Sequence, residues 1–142
     1  MKTLKEEVKF RCSADELWII LSDVGRCDWV PTIDKITLEG DCRKFEMSGM
    51  GQITEKILKQ DNVSMTLQYS AIQTPIAIEH HLATMQILSL NDHESMLNWT
   101  TEISPDTFAD AIHQGMLLSI EGLQKITSVS YTHLTLPTTN SV

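Results

Sequence analysis

Glu55 is the residue of this sequence whose type and position could best do acid–base chemistry. It alternates with Ile53 and Ile57 along a predicted strand, so the three side chains share one face, which we expect to be buried. A carboxylate is costly to bury unless it is paired. Glu55 could therefore act as a general acid or base, or anchor a hydroxyl group of a ligand. The alternative is a structural carboxylate near a strand edge, paired with Lys44 or another basic residue.

Two histidines follow each other in a later predicted strand. His80 and His81 must point to opposite faces, so only one of them can lie near Glu55. A histidine beside a carboxylate could transfer protons. It could equally be a polar residue at the mouth of a cavity or on the solvent face. No third ligand lies nearby and His93 falls in a predicted turn, so we expect no metal site. The common nucleotide-binding motifs are absent as well, and no cofactor is expected.

Aromatic and methionine side chains supply candidates for the wall of an apolar site. Tyr69 lies near the end of the clearest alternating strand, and its hydroxyl could bind a ligand or a backbone carbonyl. Trp18 is predicted to lie in the core, and Trp99 either in the core or against a ligand. Four methionines could line a cavity or fill the core: Met47, Met65, Met85 and Met116.

The three cysteines, Cys12, Cys27 and Cys42, fit neither a zinc spacing nor a redox pair. We expect free thiols of a reducing compartment. Cys27, which lies near Trp29 after a predicted helix, could alternatively be a nucleophile.

Periodicity and turn signals divide the chain into one α+β domain that must position these side chains. Strands are predicted at residues 4–11, 32–39, 42–47, 52–60, 63–71, 78–90 and 95–104. A short helix at 14–22 has a capping box, Ser13 and Glu16, and a buried stripe that includes Leu17 and Leu21. A long helix is predicted from Pro105 to about residue 127, with an inner stripe of Phe108, Ile112, Met116, Ser119 and Leu123. Short turns, among them a tight one at Asp61-Asn62, predict an antiparallel sheet.

Composition limits the function classes. The 142 residues carry a net charge of −8 and are 42% hydrophobic, which is typical of one soluble domain. No cluster of Lys or Arg favours nucleic acid, and no apolar run is long enough for membrane insertion. The first residues lack the apolar core of a signal peptide. We therefore expect a cytoplasmic monomer or homodimer whose partner is a small apolar ligand.

The last segment differs from the rest of the chain. Residues 128–142 contain no charged side chain, whereas charges are spread throughout residues 1–127. Residues 129–138 resemble the in-frame translation of a sequencing adaptor. We therefore expect the domain to span 1–127, and 128–142 to be a non-native, disordered tail that replaces the natural C-terminus. The alternative is a natural disordered polar tail.

Several short motifs recur in a recognisable order. They are Asp23-Val24-Gly25 with Trp29-x-Pro31, Gly51-x-x-x-Glu55, the Asp61 turn with Tyr69, Pro75 before Ala83-Thr84, Trp99 with Pro105, and Gly122-Leu123. In this order the chain resembles the START-like superfamily, in its SRPBCC branch of polyketide cyclase/dehydrase and lipid transport proteins. The resemblance covers residues 3–127. It implies a helix-grip fold: a curved antiparallel sheet of about seven strands, two short N-terminal helices, and a long C-terminal helix that encloses a cavity.

The resemblance also implies a function. It implies binding of a small hydrophobic or amphipathic ligand, such as a lipid, polyketide or quinone-like compound, for transport, storage or sensing. The alternatives are a cyclase/dehydratase that uses Glu55 with His81 or Tyr69, and a protein-interaction module, so enzymatic activity stays open. The resemblance places Trp29 at the cavity entrance and His81 on the inward face. The predicted ligand-binding residues are Trp29, Glu55, Tyr69, His81, Trp99, Phe108, Ile112 and Met116.

Overall fold

The fold is a seven-stranded antiparallel sheet with one short and one long helix. The computed structural model describes the backbone of residues 1–139 and the side chains of residues 1–127. In chain order the elements are β1 (Lys2–Phe10), α1 (Ala14–Ser22), β2 (Ile33–Glu39), β3 (Cys42–Met47), β4 (Gly51–Asp61), β5 (Thr66–Gln73), β6 (His80–Asn91), β7 (Glu94–Ser104), a 3-10 turn (Asp106–Phe108) and α2 (Ala109–Thr139). The predicted α+β class and antiparallel sheet are confirmed.

The strand order is β1-β7-β6-β5-β4-β3-β2. Strands β2 to β7 follow one another through short connections, and β1 joins the sheet beside β7. Along β7 every second residue is buried, as expected of a strand with one face against the core: these include Leu97, Trp99, Thr101 and Ile103. This buried face packs against α1 and α2, and Leu123 of α2 is fully buried there.

Helix α1 begins where the capping box predicted. The Glu16 amide donates to Ser13 Oγ at 3.1 Å, which satisfies one free N–H of the first turn. The Glu16 carboxylate accepts from the Ser13 hydroxyl, at 3.2 Å, instead of from the backbone amide. The predicted stripe of Leu17, Trp18 and Leu21 is buried.

The prediction of two short N-terminal helices is wrong, because only α1 precedes β2. Residues 23–32 form separate turns in which the Arg26 amide donates to Asp23 O and the Val30 amide to Cys27 O. Pro31 lacks an N–H and keeps Val30 out of helical geometry. Ten residues with a glycine near one end and this proline near the other leave too little room for consecutive helical bonds.

The prediction of a two-residue turn at Asp61-Asn62 is also wrong. The turn covers residues 62–65, and Met65 takes a positive φ of 51° before β5 starts at Thr66. Asp61 Oδ1 accepts from the amides of Val63 and Ser64, which stabilises the longer turn. Val63, with which the predicted strand 63–71 begins, belongs to this turn and is 95% exposed.

Helix α2 begins at Ala109, after a single 3-10 turn that follows Pro105. Of its predicted inner stripe, Met116, Ser119 and Leu123 are buried, whereas Phe108 and Ile112 are half-buried; Ile120 is buried beside them. No helix in the part of the chain that the structure describes is long and apolar enough to cross a membrane. The expectation of a non-native, disordered tail at 128–142 falls on residues whose side chains lie outside the described part, and it stays a prediction.

Candidate functional site

A cavity of about 120 Å³ lies between the buried face of the sheet, the 23–32 segment and α2. Strands β2 to β7 all contribute to its wall. The aromatic and apolar part of this wall includes Trp29, Phe45, Trp99, Ile112 and Met116. The polar groups among its lining residues include Arg43, Glu55, Tyr69, His81, Thr101 and Ser119. A mostly apolar pocket with a few polar groups is typical of small-molecule sites.

The central polar feature is an ion pair between Arg43 and Glu55. The two residues are directly opposite each other on β3 and β4. Arg43 Nε donates to Glu55 Oε1 at 2.7 Å, and the side chains are 10% and 13% exposed. Glu55 therefore lies on the buried face, as predicted, but its partner is Arg43; Lys44 instead pairs with Glu39. The guanidinium compensates the charge that Glu55 brings into the cavity.

Arg43 is held by two further contacts. Its Nη1 donates to the carbonyl oxygen of Val24, at 3.3 Å, in the 23–32 segment. Its guanidinium carbon lies 4.6 Å from the centre of the Tyr69 ring, which is cation–π geometry. The ion pair thus connects three strands to the segment that borders the cavity.

Tyr69 is 8% exposed and stays a neutral phenol. Burial, and next the negative charge of Glu55, raise the pKa of Tyr69 well above its usual value, and Arg43 offsets part of this effect. Its hydroxyl can therefore donate or accept a hydrogen bond, and it is a poor proton-transfer group near neutral pH.

His81 faces the cavity from β6, and its ring centre is 6.1 Å from that of Tyr69. The Ala71 amide donates to His81 Nδ1 at 2.8 Å, so Nδ1 carries no proton and the neutral ring has its proton on Nε2. Burial lowers the pKa of His81, although Glu55 opposes this effect. His80 points the other way and contacts Glu102 at 2.9 Å, as the strand alternation predicted.

The burial of His81 is expected to make the free energy of unfolding depend on pH. The unfolded chain takes up a proton on His81 near pH 6.5, whereas the folded protein does so only at lower pH. The unfolded state therefore binds more protons in this window, and the stability that neutral His81 contributes is lost as the pH falls below about 6.5. We expect His81→Asn, which cannot be protonated, to weaken the acid dependence of the free energy of unfolding.

Urea unfolding between about pH 5 and pH 7.5 would measure this effect. The matched control is His93→Asn, because His93 is an exposed turn residue. Equal pH dependence in the two variants and the parent would contradict the prediction.

Seven of the eight predicted ligand-binding residues line the cavity. The exception is Phe108, which belongs to the 3-10 turn before α2 and is not among the lining residues. Whether the seven bind a ligand stays a prediction.

The most informative residue that sequence reasoning missed is Arg43. A signal for it exists, because the turn centred on Gly49 pairs Met47 with Gly51 and thereby Arg43 with Glu55. Two opposite charges at facing positions of a hairpin favour an ion pair. Arg26 and Thr101 also line the cavity and were missed.

The 23–32 segment meets α2 at Gly122. A Cβ on Gly122 would lie 1.9 Å from the carbonyl oxygen of Trp29, so only glycine permits this approach. Two turns earlier, Gly115 lines the cavity, and a Cβ there would have no atom within 4 Å. Trp29 is 8% exposed. Its backbone lies against the helix at Gly122, and the residue forms part of the cavity wall.

The cysteines are free, as expected. Burial, followed by Asp28 and Asp34, raises the pKa of the Cys27 thiol. The thiolate is therefore disfavoured, and Cys27 is not among the residues that line the cavity, so the nucleophile alternative loses its support. In the described residues no three His, Cys, Asp or Glu side chains are arranged to hold a metal ion.

Comparison with solved structures finds the same architecture in proteins of low sequence identity. The protein XoxI from Bacillus cereus is 18% identical, with a TM-score of 0.82 over 89% of this chain and 96% of that protein. The ZhuI aromatase/cyclase from a Streptomyces species is 17% identical, with a TM-score of 0.75 over 89% and 93%. Norcoclaurine synthase from Thalictrum flavum, solved with dopamine and hydroxybenzaldehyde, is 18% identical, with a TM-score of 0.71 over 88% and 85%.

No family model and no curated protein sequence matches the chain. At these identities the structural likeness establishes the fold. It confirms the helix-grip arrangement of sheet and long helix that the resemblance of the sequence implied.

Proposed function

We propose that this protein binds a small hydrophobic or amphipathic ligand in the cavity between the sheet and α2, for transport, storage or sensing. It would do so in the cytoplasm as a monomer or homodimer. The observation that carries the proposal is a cavity with aromatic walls that also contains a buried ion pair between Arg43 and Glu55. Pairing lowers the cost of keeping these charges beside an apolar ligand.

The structural neighbours support a small-molecule role. Norcoclaurine synthase was solved with two one-ring compounds, dopamine and hydroxybenzaldehyde, and ZhuI is an aromatase/cyclase. The fold alone does not transfer either activity, because the same fold hosts different functions.

A cyclase or dehydratase activity is the second candidate. The observation in its favour is that Glu55, His81 and Tyr69 line one cavity. Against it, Glu55 Oε1 already accepts a hydrogen bond from Arg43 Nε, and no hydrogen bond links the three groups to one another among the described residues. Binding without chemistry therefore has more support.

The proposal can be tested by filling the cavity from α2. Gly115→Phe places a ring into the open space beside Gly115, whereas Leu117→Phe adds the same ring at a residue of α2 that is 38% exposed and does not line the cavity. Organic extracts of the purified proteins would be analysed by mass spectrometry. We expect a stoichiometric ligand in the parent and in Leu117→Phe, and at least a tenfold loss, roughly 1.4 kcal/mol or more, in Gly115→Phe.

A protein that is purified empty requires a second measurement. The indole N–H signals of Trp29 and Trp99 report on the cavity wall, and that of Trp18 is an internal reference because it donates to Asn62 Oδ1 at 2.9 Å. Titration with one-ring aromatic probes is expected to shift the first two signals only. No shift with any probe, together with an empty protein, would contradict the proposed function.

A further inference from the structure

The size of the cavity matches about one ring. Its volume is about 120 Å³, comparable to the roughly 150 Å³ of an apolar cavity that accommodates benzene. Because the cavity opens to solvent, a substituent on such a ring can extend toward the opening, whereas a fused-ring compound would need the walls to move. The flat walls formed by Trp29, Tyr69 and Trp99 favour a planar ring over a branched or linear chain.

Three nitrogen donors of the residues that line the cavity have no partner among the described residues. His81 uses Nδ1 as the acceptor for the Ala71 amide, which leaves the Nε2 proton without a partner among the described residues. Arg43 uses Nε and Nη1, and its Nη2 likewise has no partner among them. Trp29 Nε1 is buried and unpartnered in the same part of the chain. A ligand that satisfies such groups must bring acceptor oxygens.

The charges of the cavity favour a neutral ligand. Arg43 is already neutralised by Glu55, and Arg26 at the wall is paired with Asp28 by two hydrogen bonds of 2.6 and 3.0 Å. A cationic ligand would meet two arginines, and an anionic one would meet the Glu55 carboxylate. The groups of opposite charge that could attract a charged ligand are already paired with one another.

We infer that the cavity selects a neutral, planar, one-ring compound whose carbonyl-type oxygen accepts from His81 Nε2 and the free edge of Arg43. This inference rests on the proposed function, since it names the ligand class of the same site. His81 then has two tasks: its Nδ1 fixes the ring against β5, and its Nε2 recognises the ligand oxygen.

The test uses four one-ring probes of similar size. Acetophenone has the carbonyl oxygen, and α-methylstyrene has the same shape with a methylene group in its place. Benzoate and benzylammonium carry a negative and a positive charge. Affinities would be measured by NMR titration of the intact chain. We expect acetophenone to bind about tenfold more tightly than α-methylstyrene, which is the magnitude of about one net hydrogen bond. We also expect it to bind more tightly than either ion.

Two variants of His81 test whether the preference for acetophenone depends on the Nε2 proton. His81→Asn places an amide oxygen near the Nδ1 position, so Ala71 keeps an acceptor while the donor at Nε2 is lost. We expect it to bind acetophenone no more tightly than it binds α-methylstyrene. His81→Gln places an amide donor near the Nε2 position, and we expect it to retain most of the preference.

The measured affinities distinguish failure of this inference from failure of the proposed function. Equal binding of acetophenone and α-methylstyrene to the parent would overturn the inference and leave the proposed function standing. Tighter binding of benzoate or benzylammonium than of acetophenone would overturn it too. No binding of any of the four probes would contradict both the inference and the proposed function.

Discussion

Replacing Gly122 by alanine is expected to destabilise the protein by about 2 to 3 kcal/mol, a typical cost of overpacking a rigid contact. The new Cβ would lie 1.9 Å from the carbonyl oxygen of Trp29, and both atoms belong to backbone or are fixed to it. The 23–32 segment must therefore move away from α2. The gain in helix propensity of about 1 kcal/mol from glycine to alanine offsets only part of this cost.

Gly115→Ala is the matched control, because it makes the same change in the same helix. A Cβ at Gly115 would have no atom within 4 Å, so the variant is expected to be more stable by about 0.5 to 1 kcal/mol. Urea unfolding gives both values, and the melting temperature of Gly122→Ala should fall by about 5 to 10 °C. A Gly122→Ala protein as stable as Gly115→Ala would contradict the close contact between Trp29 and α2.

The second large effect concerns the ion pair. Arg43→Met is expected to cost about 3 to 5 kcal/mol, because it leaves the Glu55 carboxylate buried without a partner. It also removes the bond to the Val24 carbonyl and the contact with the Tyr69 ring. We therefore expect the 23–32 segment to become more mobile in this variant, which hydrogen exchange of its amides would detect.

The double variant Arg43→Met/Glu55→Leu tests the cause of that loss. It removes both charges, so it should recover most of the stability, since an apolar pair often replaces a buried ion pair at little cost. A double-mutant cycle by urea unfolding would give the coupling free energy. Additive losses would show that Glu55 is not held by Arg43 and that the two side chains act independently.

The part of the site that depends on strand alternation could be predicted from the sequence. Alternation alone placed Glu55 and Tyr69 on the buried face and separated His80 from His81. Arg43 does not stand out from alternation within a single strand, because its position opposite Glu55 follows from the pairing of Met47 with Gly51 across the hairpin. Which residues face each other depends on the register between two strands, and the pattern within one strand carries no information about that register.

The fold was predictable in its order of elements, and the errors lie in the connections. A second N-terminal helix was expected from the family resemblance, but residues 23–32 contain Gly25 and Pro31 and form isolated turns instead. At residues 62–65 the side chain of Asp61 stabilised a longer turn than the dipeptide pattern predicts. The volume of the cavity depends on side-chain packing between α2 and the sheet, which residue periodicity does not determine.

The position of β1 beside β7 has a consequence for how this chain folds. Residue 2 pairs with residue 103, so β1 has no partner in the sheet until nearly the whole domain has been synthesised. Contacts so distant in sequence slow folding, and at translation rates β1 would wait for roughly five seconds or more. During this time its backbone groups are open to strands of other nascent chains. The charges along β1, Lys2, Lys5, Glu6, Glu7 and Lys9, oppose such pairing, and they are thus expected to matter more for the yield of folded protein than for its final stability.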